Sequence, residues 1–491
     1  MYKKIIVIIL LILILMIAVM PIALAEESLP YDTYTYDYWE YIVFTPAAYI
    51  PGINISGADL GIESFRDPQG MFVTPDDVVY IADTGNDRIV ILEPDLKTIR
   101  EIIETFDNNG IRDSFNKPRG IAVADNGNIY IADTENRRII TLDDQRQVIK
   151  TIQNPQSDLL EGTFEFMPLK VAVDFAGRVF VVARHMFQGI MTFNTDGDFI
   201  GFYGTIDVTI TLWQRFWRVF STMEQRARQQ LFIPTEFTGL DVDPMGFVYA
   251  TNIDPLAEQA VRRLNPRGDD VIRTGENSNL AGDIFTMALH PSNFTGPSNI
   301  IDVTYRGSGI YSILDSRRGR IFTYDHEGNL LYVFGGLGTQ VGTFRTPSAI
   351  GAQKSRILVL DAARNELTTF EPTKYGELIN YAISMRFDGD EAKAVEAWRE
   401  VLLLNENFEL ANAGIGRAYL TAGDNAAAMH YLRLGMDRRH YAIAFRRYRN
   451  EVLRDSIGII LTVSVLVAGG LVTRTVLRRK KSGEEYEGGL G

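Results

Sequence analysis

The chain has 491 residues, no cysteine and a formal net charge of −13. Zero cysteine excludes disulfides, thiolate metal sites, cysteine nucleophiles and a lipidated N-terminal cysteine. Apolar residues at 46% and charged residues at 23% exclude wholesale disorder, and the acidic balance argues against nucleic acid, because a duplex-binding surface needs a basic patch or stripe.

Residues 1–25 have the layout of a signal peptide. Lys3 and Lys4 lead an apolar run from Ile5 to Met20, and Ala23 and Ala25 form a small-residue cleavage pattern. The alternative is an uncleaved anchor helix, but the run is shorter than the roughly 20 residues a span needs. Residues 26–62 are dense in aromatics: Tyr31, Tyr34, Tyr36, Tyr38, Trp39, Tyr41 and Phe44. Tyr34, Tyr36 and Tyr38 alternate with period two, which predicts a strand.

Residues 63–372 repeat themselves, and self-similarity at a fixed period of this size marks a repeat architecture. Pro68, Pro118 and Pro168 recur at 50-residue intervals, as do Asp83 and Asp133. Weaker copies run through Thr238 to Asn252, Pro297 to Asp325 and Phe344 to Asn365, which makes six. Each copy holds short Ile-, Val-, Tyr- and Phe-rich runs split by turn residues, a strand–turn–strand signature. One such unit cannot bury both sheet faces. Six packed around an axis can, and few strand edges are then left open. The prediction is a mainly β protein with a six-bladed β-propeller over 63–372. The tyrosine strand is then expected to join the last blade and close the ring. The sharper alternative is an aromatic platform for a ligand such as a carbohydrate.

The pattern Phe115, Pro118, Gly120 leading to Asn128, Tyr130, Ala132, Asp133, Asn136 and Arg138 resembles the NHL repeat, and the copy from Phe65 to Ile89 resembles it nearly as closely. Asp83, Asp133, Asp315 and Asp361 recur at one position in four of the six copies. A turn aspartate can accept nearby backbone N–H groups, so a structural repeat role is expected for these four rather than catalysis. Some six-bladed relatives are enzymes. The resemblance to the peptidylglycine lyase domain implies several histidines on zinc. Here His326, His430 and His440 fall in a turn or in the helical region, so only His185 and His290 remain. The resemblance to gluconolactonases implies calcium at the propeller axis, and Asp174, Asp241, Asp243 and Asp302 lie near the inner strands. No catalytic, cofactor-binding or metal residue is assigned. Calcium at the axis is the one cofactor the resemblance leaves open.

The spacing breaks at 206–232. Trp213, Phe216, Trp217 and Phe220 follow the i, i+3, i+4, i+7 face of a helix. These four are the candidate partner-binding residues of a helical insertion. The alternatives are that the stripe packs on the propeller or lies at a membrane interface.

Residues 373–450 lose proline and gain alanine. Gly389 and Gly423, Asp390 and Asp424, Ala394 and Ala428, and Trp398 and Leu432 are 34 residues apart. Ile415, Gly416 and Tyr419 resemble the core of the tetratricopeptide repeat. Two repeats are expected, 375–408 and 409–442. Two are fewer than a free-standing stack needs, so the module must lean on another surface. Residues 457–473 carry no charge and are followed by Arg474, Arg478, Arg479, Lys480 and Lys481. This predicts a transmembrane helix with 474–491 as a basic cytoplasmic tail and residues 26–456 outside. Arg438, Arg439, Arg446, Arg447, Arg449 and Arg454 gather before the span, either as a solvated face near lipid phosphates or as a dock for an acidic partner.

The whole chain resembles bacterial surface proteins that join a signal peptide, an NHL propeller, tetratricopeptide repeats and one C-terminal span, and that accompany sugar transporters. The resemblance implies a membrane-tethered extracellular binding or scaffold protein. Its partner would be a protein, such as a component of an ABC transporter, or a glycan, with membrane contact through the C-terminal helix and no nucleic acid. The alternative is a metal-dependent enzyme of the gluconolactonase or lyase type.

Overall fold

A computed structural model describes residues 29–155, 157–160, 164–204, 236–254, 259–273, 281–283 and 296–487. The expected helical insertion, with Trp213, Phe216, Trp217 and Phe220, lies outside the described residues.

Blade two shows why the repeat folds as it does. Pro118–Val123, Ile129–Asp133, Arg138–Leu142 and Val148–Ile152 form a consecutive antiparallel sheet. The first turn places Gly127 at φ +84°, a left-handed conformation glycine adopts without strain. The second strand is buried at every position, whereas the outermost one alternates. Neighbouring blades cover both faces of the middle strands, so β-branched residues can occupy every position rather than every other one. The same order runs through blade one (Gly70–Val73 to Ile99–Ile103), blade three (Pro168–Val173 to Phe199–Tyr203) and blade five (Ile300–Tyr305 to Leu330–Phe334). Blade four contributes three described strands, Phe237–Val242, Val248–Asn252 and Val261–Leu264.

Blade six is built from both ends of the ring. Pro347–Gln353, Arg356–Asp361 and Glu366–Pro372 are completed by Tyr49–Ser56, with Glu366 opposite Ser56 and Pro372 opposite Tyr49. This corrects the reading of the alternating tyrosines. The strand that closes the ring is Tyr49–Ser56. Tyr34–Tyr36 instead pairs with blade five, through Tyr34 opposite Val333, and brings Ile42–Phe44 with it. Blade five thereby becomes a six-stranded sheet.

The inner strands approach closely. A Cβ on Gly70 would lie 1.7 Å from the Arg119 carbonyl oxygen, and one on Gly239 would lie 2.5 Å from Asp302 Cα. Hydroxyls staple one blade to the next. Thr84 Oγ1 donates to the Pro118 carbonyl, Thr134 Oγ1 to that of Pro168 and Ser348 Oγ to that of Pro68, each at 2.7 Å.

The helical region has five helices: α1 (Lys374–Phe387), α2 (Glu391–Leu404), α3 (Glu409–Ala422), α4 (Asn425–Leu434) and α5 (Arg438–Glu487). The residues that recur at 34 have matching roles. Asp390 and Asp424 cap α2 and α4 by accepting the Lys393 and Ala427 N–H groups. Gly389 and Gly423 both sit at φ +85°. Ala394 and Ala428 are buried. This short stack does not stand alone. Tyr375, Ile379, Ile383, Trp398 and Ile415 share one hydrophobic cluster with Tyr49, Phe334, Ile350, Ile357 and Phe370 of blades five and six. Helix α5 runs on without a break. Its most apolar stretch, mean hydropathy 2.2, is long enough to cross a membrane, and none of the described residues covers it.

Candidate functional site

Three inner strands bring charge to the axis. Lys170 of blade three reaches past blade four to Asp302 of blade five, Nζ to Oδ2 at 3.0 Å. The Asp302 carboxylate also accepts the Ile350 N–H of blade six at 3.1 Å. Burial pushes its pKa up, and Lys170 pulls it back. Asp241 of blade four accepts the Tyr305 N–H of blade five at 2.7 Å and the Val242 N–H at 2.8 Å. Burial, reinforced by the charges of Asp302 and Asp243, pushes Asp241 up to about 7. Each axial acid therefore ties its blade to the next through a backbone N–H on the inner edge.

Asp241 continues outward as a row. It stands opposite Tyr249, which stands opposite Arg263. The Tyr249 ring stacks on Tyr305 and tilts against Tyr311 of blade five. Its buried hydroxyl has no hydrogen-bond partner among the described residues. Arg263 lies 4.2 Å over the Phe247 ring and 3.4 Å from Asp243. A carboxyl that titrates near neutrality, a phenol and a guanidinium thus share one blade face.

Of the other acids named from sequence, Asp174 does not join this row and Asp243 touches it only through Arg263. Asp174 accepts the Ala176 and Arg178 N–H groups and the Arg178 guanidinium, which closes a turn. Asp243 closes the equivalent turn through Met245 and Phe247. The four repeated aspartates lie at the opposite ends of their blades. Asp83 accepts Arg66 N–H, Asn86 Nδ2 and Arg88 Nε. Asp133 does the same with Asn116, Asn136 and Arg138. Asp315 accepts Asn299 N–H and Ser298 Oγ, and Asp361 accepts Arg345 N–H and Thr346 N–H. Each carboxylate ties the segment entering its blade to the turn after the second strand. Blades three and four have Ala183 and Asn252 at this position.

The tyrosine strand serves a buried acid. Tyr34 and Tyr36 donate to Asp283 Oδ1 at 2.6 and 2.5 Å, and Arg320 pairs with its Oδ2. The hairpin tip stays outside, with Trp39, Tyr41 and Phe44 exposed. Arg438, at the start of α5, sits 4.5 Å over the Tyr38 ring and 5.6 Å over that of Trp39.

Glu327 joins ring and helices. It accepts Arg386 of α1 at 3.0 Å and Arg417 of α3 at 2.6 Å. Arg417 also binds Asp437, which holds His440 at the head of α5. Burial alone would raise Glu327, but Arg386 and Arg417 outweigh it and hold the carboxyl below its usual range. Next to it, His326 packs edge-on against Phe387. Arg306 is enclosed by the hydroxyls of Tyr49 and Tyr332, which Asn380 of α1 bonds in turn.

The remaining histidines are scattered. His185 is exposed beside Glu236, and His430 meets Tyr431 edge-on. His290 lies outside the described residues. Among the described residues no three acidic or histidine side chains converge in a way that could hold a metal. Asp283, Glu327, Arg306 and the Lys170–Asp302 pair went unread in the sequence. Only an inner-strand alignment across blades could have flagged Lys170, which occupies the place held by Gly120 and Gly239.

The protein is therefore a six-bladed β-propeller, mainly β, carrying a C-terminal helical region with, among the described residues, one helix long and apolar enough to cross a membrane. Residues 115–141, most of blade two, match the family model described as the NHL repeat. No curated protein matches the chain. Among solved structures it is similar to virginiamycin B lyase from Staphylococcus aureus, at 11% identity and TM-score 0.41, over 65% of this chain and 99% of that one. It is also similar to a gluconolactonase from Xanthomonas campestris, at 12% identity and TM-score 0.38, over 67% and 99%. A third is a Bacteroides thetaiotaomicron protein of unknown function, at 13% identity and TM-score 0.40, over 69% and 75%. Likenesses this distant carry no argument about what this chain binds or converts.

Proposed function

We propose that this chain is a membrane-tethered binding scaffold, with propeller and helices on the outer side of the cell membrane and a basic cytoplasmic tail. Residues 1–25 direct export and α5 anchors the product. The carrying observation is the unbroken line from ring to apolar helix: a shared hydrophobic core, the Glu327 junction, and α5 continuing from that junction into an uncovered apolar stretch. A helix so keyed transmits the position of the propeller to the membrane. The two helical hairpins act as tetratricopeptide-like repeats that dock a membrane complex such as an ABC transporter. The propeller takes a protein partner or a glycan, for which exposed Trp39, Tyr41 and Phe44 supply stacking surface.

Crosslinking in intact cells tests this. The expected result is a discrete adduct with a membrane protein, and external protease should remove the propeller while sparing the tail. An inaccessible propeller would sink the topology. Deleting residues 211–231 should abolish partner capture, and unchanged capture would remove the insertion from the binding surface.

One observation favours a second reading. A carboxyl at about 7 beside Tyr249 and Arg263 suits proton transfer at neutral pH, as in a metal-dependent enzyme of the lactonase or lyase type. Metal analysis of the purified chain decides it. One stoichiometric calcium or zinc, lost on Asp241→Asn, supports the enzyme; its absence leaves binding.

A further inference from the structure

The first turns of α5 present a face that neither the other described residues nor a bilayer covers. Ala444 faces α4 and is buried. Arg447 donates to the Leu420 carbonyl, and Glu451 accepts Asn425, so this side of α5 is occupied as far as Glu451. The opposite side holds Ala442, Phe445, Arg446, Arg449, Val452 and Leu453, at the spacing of one helical face. All six are exposed, Phe445 by 47%. The face carries two arginines and no acid. Neither Arg446 nor Arg449 has an ion-pair partner among the described residues. Upward, the same face runs to Arg438 under Tyr38 and Trp39, which is 61% exposed.

Lipid reaches only the bottom of this strip. The charge-free run begins after Asp455. At about 1.5 Å per residue, Leu453 stands about 6 Å above Ile457, Arg449 about 12 Å and Phe445 about 18 Å. The headgroup layer adds only about 5–7 Å to each side of the hydrocarbon. Helical side chains also lean toward the N-terminus, which here is away from the membrane. A second copy tethered in the same membrane would set Arg446 and Arg449 against their own counterparts, and like charges at close range repel.

Building on the tethered-scaffold reading, we infer that this strip docks the outer, acidic and apolar-tipped surface of a different membrane-embedded protein. Its carboxylates would meet Arg446 and Arg449, and its apolar side chains would pack on Phe445, Val452 and Leu453.

The test uses the full chain in its own membranes, with a photo-crosslinking phenylalanine analogue at 445 and, as a control on the other side of the helix, at 454. An adduct to a heterologous protein is expected from 445 and not from 454. Its yield should fall about tenfold in R446E/R449E or at high salt, and should survive in R446K/R449K. Separately, the chain in phosphatidylcholine nanodiscs is titrated with a labelled peptide alternating glutamate with leucine and phenylalanine. It should bind about tenfold more tightly than the same peptide with lysine for glutamate, and R446E/R449E should erase the difference. Adducts to lipid, to a second copy or to nothing, or a salt-insensitive adduct, would overturn the inference. Flotation of the same membranes separates the two failures: a chain that does not float refutes tethering, and one that floats without the adduct refutes only the docking strip.

Discussion

Replacing Lys170 by methionine tests whether the axial ion pair is what keeps Asp302 charged inside the ring. The two side chains are 16% and 6% exposed and 3.0 Å apart. At an effective dielectric of about 20, that separation is worth about 5 kcal/mol of attraction, and breaking such buried pairs costs about 3–5 kcal/mol. Asp302 has an escape, because it can take up a proton. From an ordinary value of about 3.9, protonation costs about 4 kcal/mol at pH 7 and about 1.5 kcal/mol at pH 5. Those figures cap the loss. The direction follows from the shift. Burial already raises Asp302, and without Lys170 it rises further. An acid raised in the folded state loses stability as pH climbs from its unfolded value through its folded one. The deficit of K170M should therefore be small near pH 4 and full by pH 7. At about 2 °C per kcal/mol for a chain this long, Tm falls by up to about 8 °C at pH 7 and about 3 °C at pH 5. Thermal unfolding of the full chain in detergent, followed by circular dichroism, reads both. K170M/D302N should recover most of the loss. A deficit independent of pH, or one that grows toward acid, would refute the reasoning.

Arg417→Ala should loosen the helices from blade five, by about 3 kcal/mol if the Glu327 and Asp437 contacts both fail, and limited proteolysis should then cut near Thr373 faster. Glu327 and Asp437 are both held below their usual range, so their contribution is present above ordinary carboxylate values and drains only as pH falls through the lowered ones; the wild-type junction should resist cleavage at pH 5. Tyr34→Phe and Tyr36→Phe each remove a donor from buried Asp283 and should cost about 1–3 kcal/mol, with the pair non-additive by chemical denaturation. Gly70→Ala places a methyl 1.7 Å from the Arg119 carbonyl, backbone that cannot yield, so a native ring should not be recovered by size-exclusion chromatography.

The repeat was legible because the middle strands must be apolar at every position and the turns must change φ. Ile129 to Asp133, bounded by Gly127 and Asn136, signals both. The closing strand was illegible for the converse reason. Tyr49–Ser56 contains Pro51 and Gly52, which read as a turn, yet an outermost strand tolerates both because it pairs on one edge only. The tyrosine alternation forms a strand only over Tyr34–Tyr36, with Tyr38 in the turn beyond it, and it joins blade five rather than the last blade, since period two fixes which residues share a face and not which sheet receives them. The helical caps were visible because Asp390 and Asp424 recur with the glycines before them. Asp241 and Asp302 were visible as inner-strand acids, but the Lys170–Asp302 pair was not, because it forms only after blades three to five have folded.

The blades divide into two kinds. Blades one and two keep the repeat closely, with Asp83 and Asp133 making near-identical bonds to their entering segments. Blades three and four lose that aspartate, and blade five adds Asp283 and two extra strands to it. The Lys170–Asp302 pair, the buried Tyr249 hydroxyl and the Glu327 junction all fall on blades three to five. A closed ring needs every blade for burial, yet only some must repeat the same bonds. The helices that lead to the apolar segment pack on blades five and six, so blade five is where departure from the repeat and contact with the helices coincide, which marks it as shaped by something besides closing the ring.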